Sequence, residues 1–416
     1  MKKTKPFSIS KFDVQKAYER VKRNRGSAGV DDLNLEDFEK DRKYHLYRLW
    51  NRMSSGSYMP LPVLQVEIPK KGGGVRPLGI PTISDRIAQM VVLLNLEPKL
   101  EPVFHKDSYG YRPNKSALEA VGTARKRCWQ YDWVLDLDIK GFFDNIPHDL
   151  LMKAVRKHTD CKWSLLYIAR WLKAPVKRPD GTLVERTKGT PQGSVISPIL
   201  ANLFLHYCMD EWLRIKYSDC PFERYADDCV IHCKTETQAV ELRKNLEERL
   251  KECGLELHPQ KTKIVYCGTK NRNTSYPIIA FDFLGYTFRR REAKSKRGIY
   301  FTSFLPAISN KAKVAIRDKM RLWKLVGKSG TDLRRIASFI NPVLRGWINY
   351  YGAYYKTEFY KMLYHMNELL VRWASRKYKR LKGRKVRAIR WLAEIAKREP
   401  NLFEHWRFGV KPSVVE

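Results

Sequence analysis

The sequence predicts a mixed α/β core followed by a basic helical lobe. Three observations carry that expectation: an alternating strand from Trp133 to Ile139, a strand-turn-strand at RYADDCVIHC followed by a well-delimited amphipathic helix, and a change in composition near residue 300. At 416 residues the chain exceeds one ordinary core, so two or three globular units are expected. Apolar residues make up 43% and aromatics 12%, enough buried surface to offset chain entropy despite 30% charged residues. Lys and Arg total 80 against 44 Asp and Glu, a net +36, and a surface that positive calls for a polyanion partner.

The N-terminal MKKTKPFSIS is basic but has no hydrophobic stretch or small-residue cleavage site. The longest apolar stretch, around Met90 to Leu96, is far shorter than the roughly 18 residues that span a bilayer. A cytoplasmic protein without a membrane partner is therefore expected. Eight cysteines, with no C-x-x-C pair, read as reduced core residues rather than a zinc site.

In WVLDLDI, from Trp133 to Ile139, alternation places Asp136 and Asp138 on one face and Leu135, Leu137 and Ile139 on the other. After the loop TPQGS, Ser197 and Pro198 suit the cap and first turn of a helix whose apolar stripe is Leu200, Leu203, Phe204 and Tyr207. RYADDCVIHC has strand-like flanks around adjacent carboxylates, which predicts a tight turn over Ala226 to Asp228. Thr235 and Gln238 form a capping-box pattern, Ala239, Leu242, Leu246 and Leu250 continue at helical spacing, and Gly254 supplies a stop. The strand-like segments LELH, KIVYC and FDFLGYTF follow. This order predicts a mixed sheet with helices packed on one face.

From Lys311 to Glu416 there are 26 basic and 8 acidic residues, 26 − 8 = +18, half the net charge in about a quarter of the chain. Apolar residues recur there at helical spacing: Leu333, Ile336 and Ile340, then Leu363, Met366, Leu369, Leu370 and Trp373. Nine of the fifteen residues from Arg376 to Arg390 are basic, including Lys377, Lys379, Arg380, Arg384, Lys385 and Arg387, and few acids intersperse them. Such a run suits RNA phosphates. Tyr350, Tyr351, Tyr354 and Tyr355 read as helix packing ahead of base stacking.

Asp227 and Asp228 stand side by side between apolar strands, where like charges raise one another's pKa unless a cation intervenes. With Asp138 from another strand they form a candidate oxygen-only site for two Mg2+ ions, with Mn2+ as a substitute. Adjacent aspartates also occur in plain solvated turns, so the pair alone does not decide.

RYADDCVIHC resembles the YxDD signature of reverse transcriptases, in the YADD form familiar from group II intron-encoded enzymes. IPKKGGGVRPLGIPTISDRIAQ, DSYGYRPNKSALEAV, LDLDIKGFFDNIPHDLL, KGTPQGSVISPILANLFL, GLELHPQKTKI and FDFLGYTF resemble, in order, the family's fingers and palm blocks. RNRGSAGVDDL resembles the N-terminal extension block, and INPVLRGWINYYGAY the maturase-specific thumb. Together they cover nearly the whole chain.

The resemblance implies a right-hand polymerase with a mixed, mainly antiparallel catalytic sheet. Residues 1–85 would form the extension and fingers, 86–300 the palm with part of the fingers, and 301–416 a helical thumb or maturase domain. It implies an RNA-directed DNA polymerase that also binds group II intron RNA as a maturase. Its partners would be an RNA template/DNA primer duplex, dNTPs and target DNA. Asp138, Asp227 and Asp228 would hold the metals, and Lys261, ahead of the alternative Lys263, would act as general acid. Lys70, Arg76, Ile139, Phe143 and Gln192 would meet the nucleotide, Phe143 as the ring that excludes a 2′-hydroxyl. Arg112 would face nucleic acid, and Phe283, Leu284 and Gly285 would form the primer grip.

The last cysteine is Cys267 and the sequence stops at Glu416 without the paired cysteines of an HNH endonuclease, which points to the compact, endonuclease-free form. Two other readings share these motifs: a host-domesticated reverse transcriptase in defence or repair, and a maturase that only binds RNA.

Overall fold

A computed structural model describes residues 5–69, 74–268, 276–294 and 297–413. Lys70 lies outside the described residues. The chain forms two compact units: residues 1–116 with 135–263, and residues 117–134 with 264–416. The architecture is mixed helix and strand with antiparallel pairing, ending in helices, as the composition shift predicts.

In the first unit, strand Val63–Pro69 pairs antiparallel with Val75–Ile80, from Leu64 opposite Ile80 to Pro69 opposite Val75. Its other edge pairs parallel with Val176–Lys177, which in turn pairs with Leu183–Val184. Helix Ile83–Leu100 follows, capped by Thr82, whose hydroxyl accepts from the Asp85 amide at 3.1 Å. It contains the apolar stretch of the sequence, and its residues pack into the interior. Among the described residues no helix is long and apolar enough to cross a membrane.

A second sheet carries the acidic residues. Strands Phe222–Tyr225 and Asp228–Cys233 are antiparallel, with Tyr225 opposite Asp228, so Ala226 and Asp227 form a two-residue turn. Strand Trp133–Leu137 pairs with Asp228–Cys233, and Asp138 follows directly after it. Helix Glu236–Glu252 packs Ala239, Leu242, Leu246 and Leu250 inward, and Thr235 caps it by accepting from the Gln238 amide at 3.2 Å.

Helix Ser197–Leu205 differs in one detail. Its cap is Ile196 rather than Ser197, because the Ser197 hydroxyl bonds the Thr190 hydroxyl at 2.6 Å and so ties the TPQG loop to the helix start. The helix then widens into a π-turn, His206–Asp210, before Glu211–Lys216.

In the second unit, strands Ala280–Phe283, Tyr286–Lys294 and Tyr300–Ile308 form an antiparallel sheet, with helix Ala117–Arg127 beside it. The helical lobe contains Asn310–Leu322, Leu333–Tyr351, Lys356–Lys377, Lys385–Arg398 and Glu404–Arg407. Ile336, Ile340, Leu363, Met366, Leu370 and Trp373 are buried together, whereas Leu333 and Leu369 pack at its margin. The Tyr286 ring lies 5.5 Å from Tyr350 and 5.7 Å from both Tyr351 and Tyr354, so these tyrosines do pack. Seven of the eight cysteines are buried and all are free thiols.

Candidate active site

The site is built from the Asp138 strand end, the Ala226–Asp227 turn and two loops of the first unit. Asp138 is fixed by its backbone: the His258 amide donates to its carbonyl at 2.8 Å, and the Thr262 hydroxyl lies 3.3 Å from the same oxygen. Its side chain remains 39% exposed, and the Lys261 ammonium sits 3.4 Å from both carboxylate oxygens. Lys263, two residues on, opens the strand Lys263–Tyr266.

Burial pushes the Asp227 carboxyl above the ordinary carboxylate range. The charge of Asp138 pushes it further, while Arg76 pulls against both. Asp138, Asp227 and Arg76 therefore share one electrostatic neighbourhood. Among the described residues no three acidic, His or Cys side chains close on a single point as a metal cluster. The donors are nevertheless of the kind a hard divalent cation takes: oxygen only, partly exposed, and carrying a mutual repulsion that a cation relieves. Asp228 opens its strand, half-buried.

Arg76 donates from Nε to Gln192 Oε1 at 3.0 Å, and the Gly79 amide donates to the Gln192 carbonyl at 2.8 Å. This close approach requires glycine at 193. Gly193 has φ +117°, and a Cβ there would stand 2.6 Å from the Gly79 carbonyl oxygen. Phe142 is 2% exposed and belongs to the core, while Phe143 is half-buried, its ring edge-on to Phe142 at 5.2 Å. The Phe143 carbonyl accepts from the Thr190 amide at 2.7 Å, joining the Phe143 turn to the TPQG loop. The Ile139 side chain is buried, which leaves its backbone alone for any ligand.

Two residues expected to meet nucleic acid are placed elsewhere. The Arg112 side chain is 6% exposed, and each guanidinium nitrogen is committed: Nε and Nη2 to the Glu101 carboxylate, and Nη1 to the carbonyls of His105 and Ser108 at 2.7 Å each. Arg112 is a structural clamp because all its donors already have acceptors. Phe283 is fully buried, so its ring belongs to the core of the second unit. Leu284 and Gly285, at φ +50° and +78°, form the turn between two strands. That turn is pinned by the Tyr350 hydroxyl, which donates to the Leu284 carbonyl at 2.7 Å.

In the basic run, Lys379, Arg380, Arg384, Lys385 and Arg387 are exposed. Lys377 is not free: its ammonium donates to the carbonyls of Ser329 and Thr331 at 3.0 and 2.9 Å.

Sequence reasoning missed a buried network beneath the turn. Arg224, fully buried, donates from Nε and Nη2 to the Asp210 carboxylate at 2.8 and 2.6 Å, and from Nη1 to Asn202 Oδ1 at 2.9 Å and the Ala226 carbonyl at 3.1 Å. The signal available was the adjacent charged pair Glu223 and Arg224 inside a short strand between Phe222 and Tyr225, positions that burial permits only with charged or hydrogen-bonding partners.

Comparison with known proteins adds to this geometry. Residues 314–391 match the group II intron maturase-specific domain. The protein YkfC of Escherichia coli K12 is 38% identical over 196 residues, 45% of this chain and 50% of that protein. The group II intron-encoded protein LtrA of Lactococcus lactis is 36% identical over 194 residues, 46% of this chain and 32% of LtrA. The putative COX1/OXI3 intron 1 protein of Saccharomyces cerevisiae is 32% identical over 197 residues, 47% of this chain and 23% of that protein. The chain thus spans half or less of the length of these curated relatives. Residues 68–288, more than half of the chain and including every part of the acidic site, match the reverse transcriptase (RNA-dependent DNA polymerase) family, to which this chain belongs.

Proposed function

We propose that the protein is an RNA-directed DNA polymerase that also acts as a group II intron maturase. The observation that carries the polymerase reading is the gathering of Asp138, Asp227, Arg76, Gln192 and Lys261 in one unit, within the stretch that matches the family. Asp138, Asp227 and Asp228 would hold Mg2+, or Mn2+ in its place. When bound, the metal stabilises charge developing on the attacking and leaving oxygens of a phosphoryl transfer.

The chain's own residues do the rest. Arg76, oriented by Gln192, presents a guanidinium to the triphosphate of an incoming dNTP. Lys261 moves from Asp138 to protonate the departing pyrophosphate. Phe143, half-exposed on its short helix, stands against the sugar edge and disfavours a 2′-hydroxyl. The product is DNA complementary to an RNA template.

For the maturase role, the match over residues 314–391 and the exposed cations Lys379, Arg380, Arg384, Lys385 and Arg387 support binding of folded intron RNA. Under this reading the Leu284–Gly285 turn and the helical lobe serve as primer grip and thumb.

The test is extension of a DNA primer on an RNA template by the purified chain and by Asp227→Asn, with RNA affinity measured alongside. Extension by the wild type and its loss in Asp227→Asn with RNA binding retained is the expected result. Extension by Asp227→Asn removes the assignment. Sequencing the RNA that copurifies with the protein, and assaying its splicing, tests the maturase role.

A further inference from the structure

The turn that carries Asp227 is strained. Ala226 has φ +58° at the first of two loop positions, where hairpin turns favour glycine and an alanine pays for its Cβ. Something must hold it there, and the turn's own backbone pairing ends at Tyr225 and Asp228. The Arg224 Nη1 bond to the Ala226 carbonyl is that restraint.

Arg224 is itself held on every side. Asp210 grips it through two parallel bonds, and Asp210 is delivered by the π-turn His206–Asp210, the widened stretch of helix that follows Leu205. Asn202 accepts from Nη1 and donates from Nδ2 to the Gly110 carbonyl at 2.6 Å. Gly110 lies against the turn so closely that a Cβ would collide with the Ala226 amide nitrogen. The Arg224 backbone is fixed too: its carbonyl accepts from the Tyr109 amide at 2.7 Å and its amide donates to the Asp107 carbonyl at 3.0 Å.

We propose that Arg224, fixed by Asp210 and Asn202, is a positioning residue for catalysis: by anchoring the Ala226 carbonyl it sets where the Asp227 carboxylate stands relative to Asp138. This rests on the polymerase reading and extends it to residues that touch neither nucleotide nor nucleic acid. A buried ion pair is weak evidence for stability as such, since well-packed apolar residues often serve as well. Here three of its bonds, to Asp210 and Asn202, hold the guanidinium so that the fourth reaches a strained carbonyl next to an acidic residue of the site, an arrangement that suits positioning.

The test compares wild type, Arg224→Lys and Asn202→Ser in the full chain. Lysine keeps the charge opposite Asp210 but has no fork to reach Asp210 and Ala226 together. Serine is too short to orient Nη1 and leaves the Arg224–Asp210 pair intact. Steady-state primer extension gives kcat and the KM for dNTP. Fluorescence anisotropy gives primer–template affinity, and electron paramagnetic resonance of added Mn2+, without nucleotide, gives metal affinity.

For Arg224→Lys the expected loss in kcat is on the order of 10–100-fold, the penalty of a small misplacement. The KM for dNTP and the primer–template Kd should stay within about twofold, because uniform binding is untouched. Mn2+ affinity should fall together with kcat. Asn202→Ser should show the same split with a smaller loss, and it decides the matter alone if Arg224→Lys does not fold. The proposal is overturned if the folded variants keep wild-type kcat and Mn2+ affinity, or if kcat and nucleic-acid affinity decline together in proportion to the unfolded fraction. A wild type that does not extend a primer overturns the polymerase reading itself, and this inference with it.

Discussion

Arg76 and Gln192, 116 positions apart in the sequence, are joined by a hydrogen bond of 3.0 Å that sets the guanidinium beside the Asp227 turn. The bond exists because Gly193 lets the loop lie against strand Val75–Ile80. Gly193→Ala should therefore displace Gln192 and release Arg76. The expected outcome is a raised KM for dNTP and a fall in kcat/KM of at least about tenfold, with global stability lowered by about 1–3 kcal/mol, the cost of one strained backbone position. Steady-state kinetics and thermal unfolding check both halves. An unchanged KM would show that this contact does not serve the nucleotide.

Lys261 is 60% exposed and contacts an aspartate that is itself 39% exposed, so the pair contributes little to folding. Lys261→Ala should leave the melting temperature unchanged while lowering kcat by about 10²–10⁴-fold, the range for loss of a general acid. Lys263→Ala serves as the comparison and should retain most activity. Reversal of that order in single-turnover assays would reassign the proton donor.

Acid should weaken the second unit through His405. Its Nε2 donates to Asn367 Oδ1 at 2.7 Å, which leaves Nδ1 bare and buried with no partner among the described residues. Burial pulls the imidazole from its ordinary 6.5 down to about 3. The folded state therefore prefers neutral His405, and that stability is present above pH 6.5 and lost as pH falls toward 3. The loss should run at about 1.4 kcal/mol per pH unit over this window. Glu358, held down at about 2 chiefly by its bond from Lys313 and also by Lys361, adds a second loss below its ordinary 4.5. Thermal melts from pH 7.5 to 4.5 should show a shallower decline for His405→Gln between pH 6.5 and 4.5, where only the imidazole differs. Parallel declines would remove His405 as the cause.

Arg112 and the exposed basic run should part company. Arg112→Ala leaves Glu101 and two carbonyls without their donor, and should cost about 2 kcal/mol of stability with no change in the salt dependence of RNA binding. Replacing Arg384, Lys385 and Arg387 together by alanine should leave the melt unchanged and reduce the slope of log K against log salt by about 2, the effect of losing three phosphate contacts. Filter binding at several salt concentrations, with calorimetry, separates the two.

Much of the site was legible in the sequence because local chemistry forces it. An alternating strand places Asp136 and Asp138 on one face, strand-like segments flanking Ala226 to Asp228 turn there, the structure narrowing the turn to Ala226 and Asp227, and Thr235 with Gln238 starts a helix. The helical lobe was legible for the same reason, since spacing of three and four residues has one regular solution. The roles of Arg112 and Lys377 were not legible. A cation in a sequence carries no sign of whether its donors end on water, on phosphate, or, as here, on carbonyls of its own chain.

The strand ending at Asp138, the acidic turn, the helix after Thr235 and the basic helical lobe follow from periodicity, turn chemistry and charge. Which cations reach the acids, which arginine anchors the strained turn, and which of Phe142 and Phe143 keeps part of its surface open came from the folded chain alone. Those choices depend on contacts between residues tens to more than a hundred positions apart, whose energies come from burial and geometry that no local pattern encodes.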